Sequence, residues 1–259
     1  MINYIKSEFY RNLHSKGNYI FLFGCMAFVI FLNGVLAAFA NNTPNFPYAG
    51  TWFSFSSLYS SMGIPLVLCL LMVAVVFGQE HKSHTLKNSI SYGIPRSEIY
   101  FGKFIVLLII ALINLIFISA AYIGSGLILL DNSGSVYLNE LIRALIACMP
   151  LFLISATVAH CFYFIFENET AVVMCWVSIM IIIPKVLELL GARVEVIRKI
   201  AQFMPWNIVK DITKGSGDHK FIFFWSSQQG LINCFIVGII GTIVFYLLGM
   251  KLFEKVEIK

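Results

Sequence analysis

Ionisable residues inside long apolar runs are the first place to look for chemistry, because a charge held in lipid is costly unless it is paired or used. His160 stands in such a run, and a structurally satisfied histidine is the simpler expectation than a proton relay. Lys185 and Glu188 lie three apart near the end of another run, a spacing that lets them pair on one helix face. The alternative is two side chains that snorkel to the interface. Glu140 and Arg143 repeat that pattern, and Asn33, Asn114 and Asn233 are lone polar residues suited to hydrogen bonds between helices. His81 and His84 could share a helix face, but a metal site needs more ligands and none is near them in sequence. The six cysteines all fall in apolar runs without a CxxC spacing. No H-E-x-x-H, G-x-S-x-G or G-x-x-x-x-G-K-[ST] motif occurs, so neither metal-dependent hydrolysis nor an ATPase site of the chain's own is expected.

The elements that must position these residues are apolar and long. The chain has 259 residues, 59% hydrophobic and only 12% charged, and its mean hydropathy is +0.85. A soluble domain carries about 25% charged residues, so this chain could not cover a globule's surface with charge. A net charge of +5, scattered along the chain, gives no basic stripe for nucleic acid. A spanning helix needs roughly 20 apolar residues. Six stretches qualify: about 19–40, 59–77, 104–130, 141–166, 170–190 and 230–250. The expected fold is an all-α membrane protein, one membrane domain over 1–259 with six transmembrane helices. A signal-peptide reading of the first run, ending at Ala38-Phe39-Ala40, would need 40 residues, so the run is kept as a span.

Cations in short loops set the orientation. Lys6, Arg11 and Lys16 precede the first span, Lys82, Lys87, Arg96 and Lys103 lie between the second and third, and Lys251, Lys255 and Lys259 follow the last. The loops after spans one and three have none, so both termini are expected in the cytoplasm, against six cations of the longer 191–229 segment. Within residues 1–16, Ile2, Ile5, Phe9 and Leu13 recur at helical spacing between cations. That pattern predicts an amphipathic helix anchored at the interface by Lys6 and Arg11.

The loop GQEHKSHTLKNSISYGIPRSEIYFGK, residues 78–103, is polar and helix-compatible from Glu80 to Ser91. Gly93 supplies a stop and Pro95 cannot continue the helix, so a second helix starts near Pro95 or Ser97 and runs into the third span. In the 191–229 segment, Val194, Ile197, Ala201 and Met204 share a face and Pro205 interrupts them, which predicts two short helices dipping into the outer leaflet with Trp206 as an anchor. The aromatic residues of 41–57 read as an interfacial belt, and Glu167-Asn168-Glu169 as a tight hairpin between spans four and five.

The 78–103 loop resembles that of the permeases of type-2 ATP-binding-cassette exporters, especially small six-span ones of Gram-positive bacteria. Glu80, Thr85-Leu86-Lys87, Pro95-Arg96-Ser97, Tyr100 and Lys103 carry the match, while His84 stands where that family usually has glycine. The Pro205-Trp206 break and the N-terminal helix fit the same family, whose resemblance covers the whole chain. It implies a multi-pass permease of the bacterial plasma membrane. A second permease subunit, identical or related, would join it on two ATPase subunits that hold the ATP and magnesium. Glu80, Thr85, Leu86, Lys87, Pro95 and Arg96 would then belong to an ATPase-coupling element, with Arg96 and Lys103 fixing it against lipid phosphates or the ATPase. Relatives of this kind clear antimicrobial peptides such as lantibiotics, so self-immunity is one expected role. Export of a drug, ion or lipid is another. A non-transporting protein that binds a toxin or partner, an embedded enzyme and a secondary transporter are the rival classes.

Overall fold

The computed structural model describes residues 1–44, 46–83, 91–210, 212–214, 221–223, 225 and 227–255. Helices α1 (Ile2–Leu13), α2 (Lys16–Asn42), α3 (Thr51–Tyr59), α4 (Gly63–Ser83), α5 (Arg96–Leu129) and α6 (Ser135–Ile165) come first. A helix then runs from Glu169 to Gly191 as α7 (Glu169–Val177), a π-helical turn (Ser178–Ile182) and α8 (Ile183–Gly191). The short α9 (Glu195–Gln202) and α10 (Pro205–Lys210) lead to strands β1 (Ile212–Lys214) and β2 (Phe221–Phe223), and α11 (Gln228–Lys255) closes the chain. The two strands pair antiparallel, Thr213 opposite Ile222, a small ladder that an all-α expectation did not contain.

Among the described residues, five helices are long and apolar enough to cross a membrane: α2, α5, α6, the Glu169–Gly191 helix and α11. They overlie the apolar runs at 19–40, 104–130, 141–166, 170–190 and 230–250. The run at 59–77 differs. Helix α3 ends at Tyr59, the chain turns over Ser60–Met62, and the Gly63–Gly78 part of α4 leaves at 66° to α3. Serines cause the break. Ser56 and Ser57 donate to the Phe53 carbonyl at 3.1 and 2.7 Å, and Ser60 donates to that of Ser56. Hydroxyls that bond back to helix carbonyls compete with the ladder and bend or end it. Pro65, expected to kink a span, instead falls in the first turn of α4, where its missing N–H costs nothing. Pro184 directly follows the π-helical turn, a common site of helix irregularity.

Helix α6 is the centre of the bundle: 67% of its apolar stretch is buried, against 6% for α2 at the edge. It packs most extensively on α11. Gly238 of α11 lies against the Pro150 backbone, Gly241 against Ile154 and Gly249 against Cys161 and Tyr100. Small residues let two helix backbones approach closely in lipid, where apolar burial alone gives no drive. The hairpin at 167–169 forms as expected, with Asn168 capping α7 by accepting from the Thr170 amide at 2.9 Å.

The 41–57 segment is more than an aromatic belt. Thr51, Ser54 and Phe55 of α3 are buried. Thr51 donates its amide to the Asp131 carbonyl at 2.8 Å, and its side chain accepts from the Ser133 amide at 3.0 Å. The loop after α2 is thereby tied to the loop after α5.

Candidate functional site

The sequence places the coupling element between α4 and α5. Glu80 lies in the last two turns of α4. Thr85, Leu86 and Lys87, like His84, lie outside the described residues. On the far side, Gly93 takes φ +82°, a left-handed conformation that glycine adopts without strain. Pro95 is the N-cap of α5, its carbonyl accepting from the amides of Glu98 and Ile99 at 3.0 and 3.1 Å. Arg96 then reaches across the bundle. Its guanidinium donates to the Phe253 and Glu254 carbonyls, both at 3.0 Å, and sits 5.7 Å from the centre of the Phe253 ring. A cation on the last carbonyls of α11 satisfies acceptors that the helix itself cannot. Arg96 thus joins the start of α5 to the end of α11.

Helix α1 lies on α5 with part of the face its apolar spacing suggests, Ile5 and Phe9 packing against the core, and with a polar row beside it. Ile2 and Leu13 are exposed, while Tyr4 packs over Gly102 and Glu8 and Asn12 are buried. Glu8 pairs with Arg11 on its own helix and with Lys103 of α5 at 3.3 Å. Lys103 therefore does not anchor the loop to phosphates. It is buried, 5% exposed, with its ammonium 5.6 Å from the Phe77 ring centre. The anchors expected on α1 divide: Lys6 is exposed, and Arg11 is half-buried on Glu8. Glu8 went unnoticed in the sequence. The available signal was the polar row Tyr4, Glu8, Asn12, which recurs every four residues and so shares a helix face.

His160 sits just beyond this cluster, fully buried among Phe77, Tyr100, Phe104 and Phe164 with ring centres 4.6 to 5.4 Å away. Neither ring nitrogen makes a hydrogen bond of ordinary geometry. Aromatic packing encloses the imidazole on several sides. The Tyr100 and Phe164 rings also pack on Phe253, so the aromatic cluster continues to the Arg96 cap.

At the other end of the bundle, Lys185 and Glu188 of α8 are both exposed and no ion pair joins them. Trp206 is not an interface anchor. It is buried in the core with its ring against Gly63 at the start of α4, which fixes α10 to that helix. Among the described residues no cluster of three or more metal-ligating side chains occurs.

A cavity of about 470 Å³ lies between α2, α3, α4, α5 and α6. Its wall is mostly apolar, with Phe28, Leu32, Met72 and Phe152, and its polar points are Ser57, Ser61, Asn114, Ser119 and Tyr122. At one margin, Asn33 of α2 donates to the Tyr122 carbonyl at 3.1 Å and to Ser125 at 2.8 Å, and accepts from Ser54 at 2.7 Å. Asn33 thus bonds helix to helix as its isolation in an apolar run suggests, whereas Asn114 donates to Ile110 of its own helix at 2.8 Å. Asn33→Leu should lower the thermal unfolding midpoint of the detergent-solubilised protein, at a cost of about 1–2 kcal/mol, because three buried groups each lose one of their partners. An unchanged midpoint would show that the network contributes nothing to holding α2.

Residues 4–192, more than half of the chain, match the family model described as ABC-2 family transporter protein. No curated protein matches the chain. With that extent of match the chain belongs to the ABC-2 transporter family: a multi-pass membrane component, not the ATPase, of a transporter that typically works with an ATPase subunit.

Proposed function

We propose that this ABC-2 family member is the six-span membrane subunit of an ATP-driven exporter of the bacterial plasma membrane. The α3–α4 pair is one broken span in this reading, and both termini are cytoplasmic. Two such subunits, identical or related, stand on two ATPase subunits that bind ATP and magnesium. The segment from Glu80 to Ser91 meets the ATPase and transmits its closure. The observation that supports this is the convergence of α1 and α11 on the first turns of α5, which follow that segment in the chain. Glu8–Lys103 ties α1 to α5, and Arg96 ties α5 to α11. A push on the end of α4 or the start of α5 would therefore move three helices together, and a bistable bundle turns such a push into a change of state.

The cargo we infer is amphipathic, for instance an antimicrobial peptide cleared from the membrane in self-immunity. The 470 Å³ cavity supports that class, with its apolar wall and a few hydroxyl and amide groups. Export of a drug, ion or lipid and direct binding of a toxin without transport are the alternatives. Reconstitution with the ATPase encoded beside the gene separates them. Cargo-stimulated ATP hydrolysis is expected, and replacing Glu80 and Lys87 together by Gln should lower it about tenfold with membrane insertion intact, since charge-assisted contacts are the stronger ones. Unchanged stimulation in the variant would remove the coupling role, and no complex with any ATPase would favour the binding reading.

A further inference from the structure

We propose that the pocket between α8, α9 and α10 binds the headgroup of a phospholipid that carries a primary ammonium. The pocket has a volume of about 260 Å³, and Glu188, Gly191, Arg198, Gln202 and Asn207 line it. Asn207 is 7% exposed, and its amide orientation is fixed by its own bonds. The nitrogen donates to the Pro184 carbonyl at 3.0 Å and to the Ala201 carbonyl at 2.9 Å, which uses both of its hydrogens. The side-chain oxygen, buried as well, has no hydrogen-bond partner. A buried acceptor without a donor is costly, and in a native protein it marks a group that something else completes.

The surroundings say what kind of donor. Glu188 offers a carboxylate to a cation. Arg198 offers a guanidinium to an anion, since its ion pair with Glu195 spans 3.6 Å between two exposed side chains and holds it weakly. A ligand with an ammonium beside an anion satisfies Asn207, Glu188 and Arg198 at once. The two helices that carry Glu188 and Arg198 also carry exposed apolar side chains, Leu189 on α8 and Val196 and Ile200 on α9, with Phe203 just after α9, and Leu189 is exposed by 75%. A polar pocket on helices whose other side chains are apolar and exposed suits a lipid better than a soluble zwitterion. Trp206 on Gly63 puts the pocket at the end of the bundle opposite α1. Its assignment to the outer leaflet rests on the orientation proposed above, but the lipid chemistry does not. A primary ammonium can donate to the Asn207 oxygen and a quaternary one cannot, so phosphatidylethanolamine is preferred to phosphatidylcholine.

The test uses the full chain in detergent, titrated with short-chain phosphatidylethanolamine, phosphatidylcholine and phosphatidylglycerol and read by native mass spectrometry. Phosphatidylethanolamine should bind about tenfold more tightly than the other two, the worth of one charge-assisted hydrogen bond. Arg198→Gln should weaken all three. Glu188→Gln should weaken phosphatidylethanolamine and phosphatidylcholine, whose headgroups both carry a cation, and improve phosphatidylglycerol by removing a repulsion. Both positions are exposed, so these variants keep the fold. Equal binding of the three lipids, or phosphatidylethanolamine binding unaffected by either variant, would overturn the proposal. Tighter binding of an amphipathic peptide with a free N-terminus, in competition with the lipid, would overturn it too and give the pocket to the cargo.

Discussion

Glu8→Ala should destabilise the protein by about 3 kcal/mol, because removing one partner of a buried ion pair takes away part of what offsets the other charge's desolvation. The carboxylate of Glu8 is 3.3 Å from the Lys103 ammonium, and the two side chains are only 8% and 4% exposed. Lys103 would stay in its place beside Phe77 with its counter-charge on α1 gone. The loss should show as a lower unfolding midpoint in detergent. Early proteolytic cleavage of α1 should accompany it, since Glu8 holds the buried face of that helix. The double variant Glu8→Ala, Lys103→Met should recover much of the stability, as an apolar side chain of similar length needs no counter-charge. If the double variant is no better than the single one, the energy lies in the packing of Tyr4 on Gly102 and not in the charge pair.

That pair also shows where sequence reading reaches its limit. The helices over 19–40, 104–130, 141–166, 170–190 and 230–250 were legible, because a run of apolar residues of that length has one stable form in lipid, a helix with its backbone bonded internally. The stop at Gly93 and the cap at Asn168 were legible too, as both depend on local backbone chemistry. Lys103 and Trp206 were misread for one reason. Each has an apolar body and a polar tip, so its type suits an interface and a core equally well. Only a tertiary partner decides, Glu8 for the lysine and Gly63 for the tryptophan, and each partner is distant in sequence. The break at Ser60–Met62 was hidden because hydropathy averages over the serines, whereas the bend depends on which carbonyl each hydroxyl meets. In the candidate site, spacing could nominate Arg96 but could not reveal that it caps α11, 157 residues away from its Phe253 acceptor.

Gly238→Leu should be the most damaging single change in the bundle. A Cβ at that position would lie 2.5 Å from the Pro150 carbonyl carbon, oxygen and Cβ, closer than atoms can pack. Two of those three atoms are backbone, and the third belongs to a rigid ring, so no side-chain rotation relieves the clash. Helix α11 would have to move away from α6, opening the most extensive helix contact among the described residues and with it the neighbouring contacts of Gly241 and Gly249. Overpacking in a well-filled core costs about 1–3 kcal/mol and more where backbone must shift. The expected result is a sharp fall in monodisperse protein recovered from membranes, with Gly238→Ala intermediate. Gly34→Leu is the matched control, because a Cβ there meets nothing within 4 Å. Its recovery should equal that of the parent, since lipid accommodates an added side chain that a neighbouring helix cannot. Equal losses at both positions would mean that added volume anywhere disturbs insertion. Loss at Gly238 alone locates the constraint in the α6–α11 contact, where the Pro150 ridge requires a residue without a side chain.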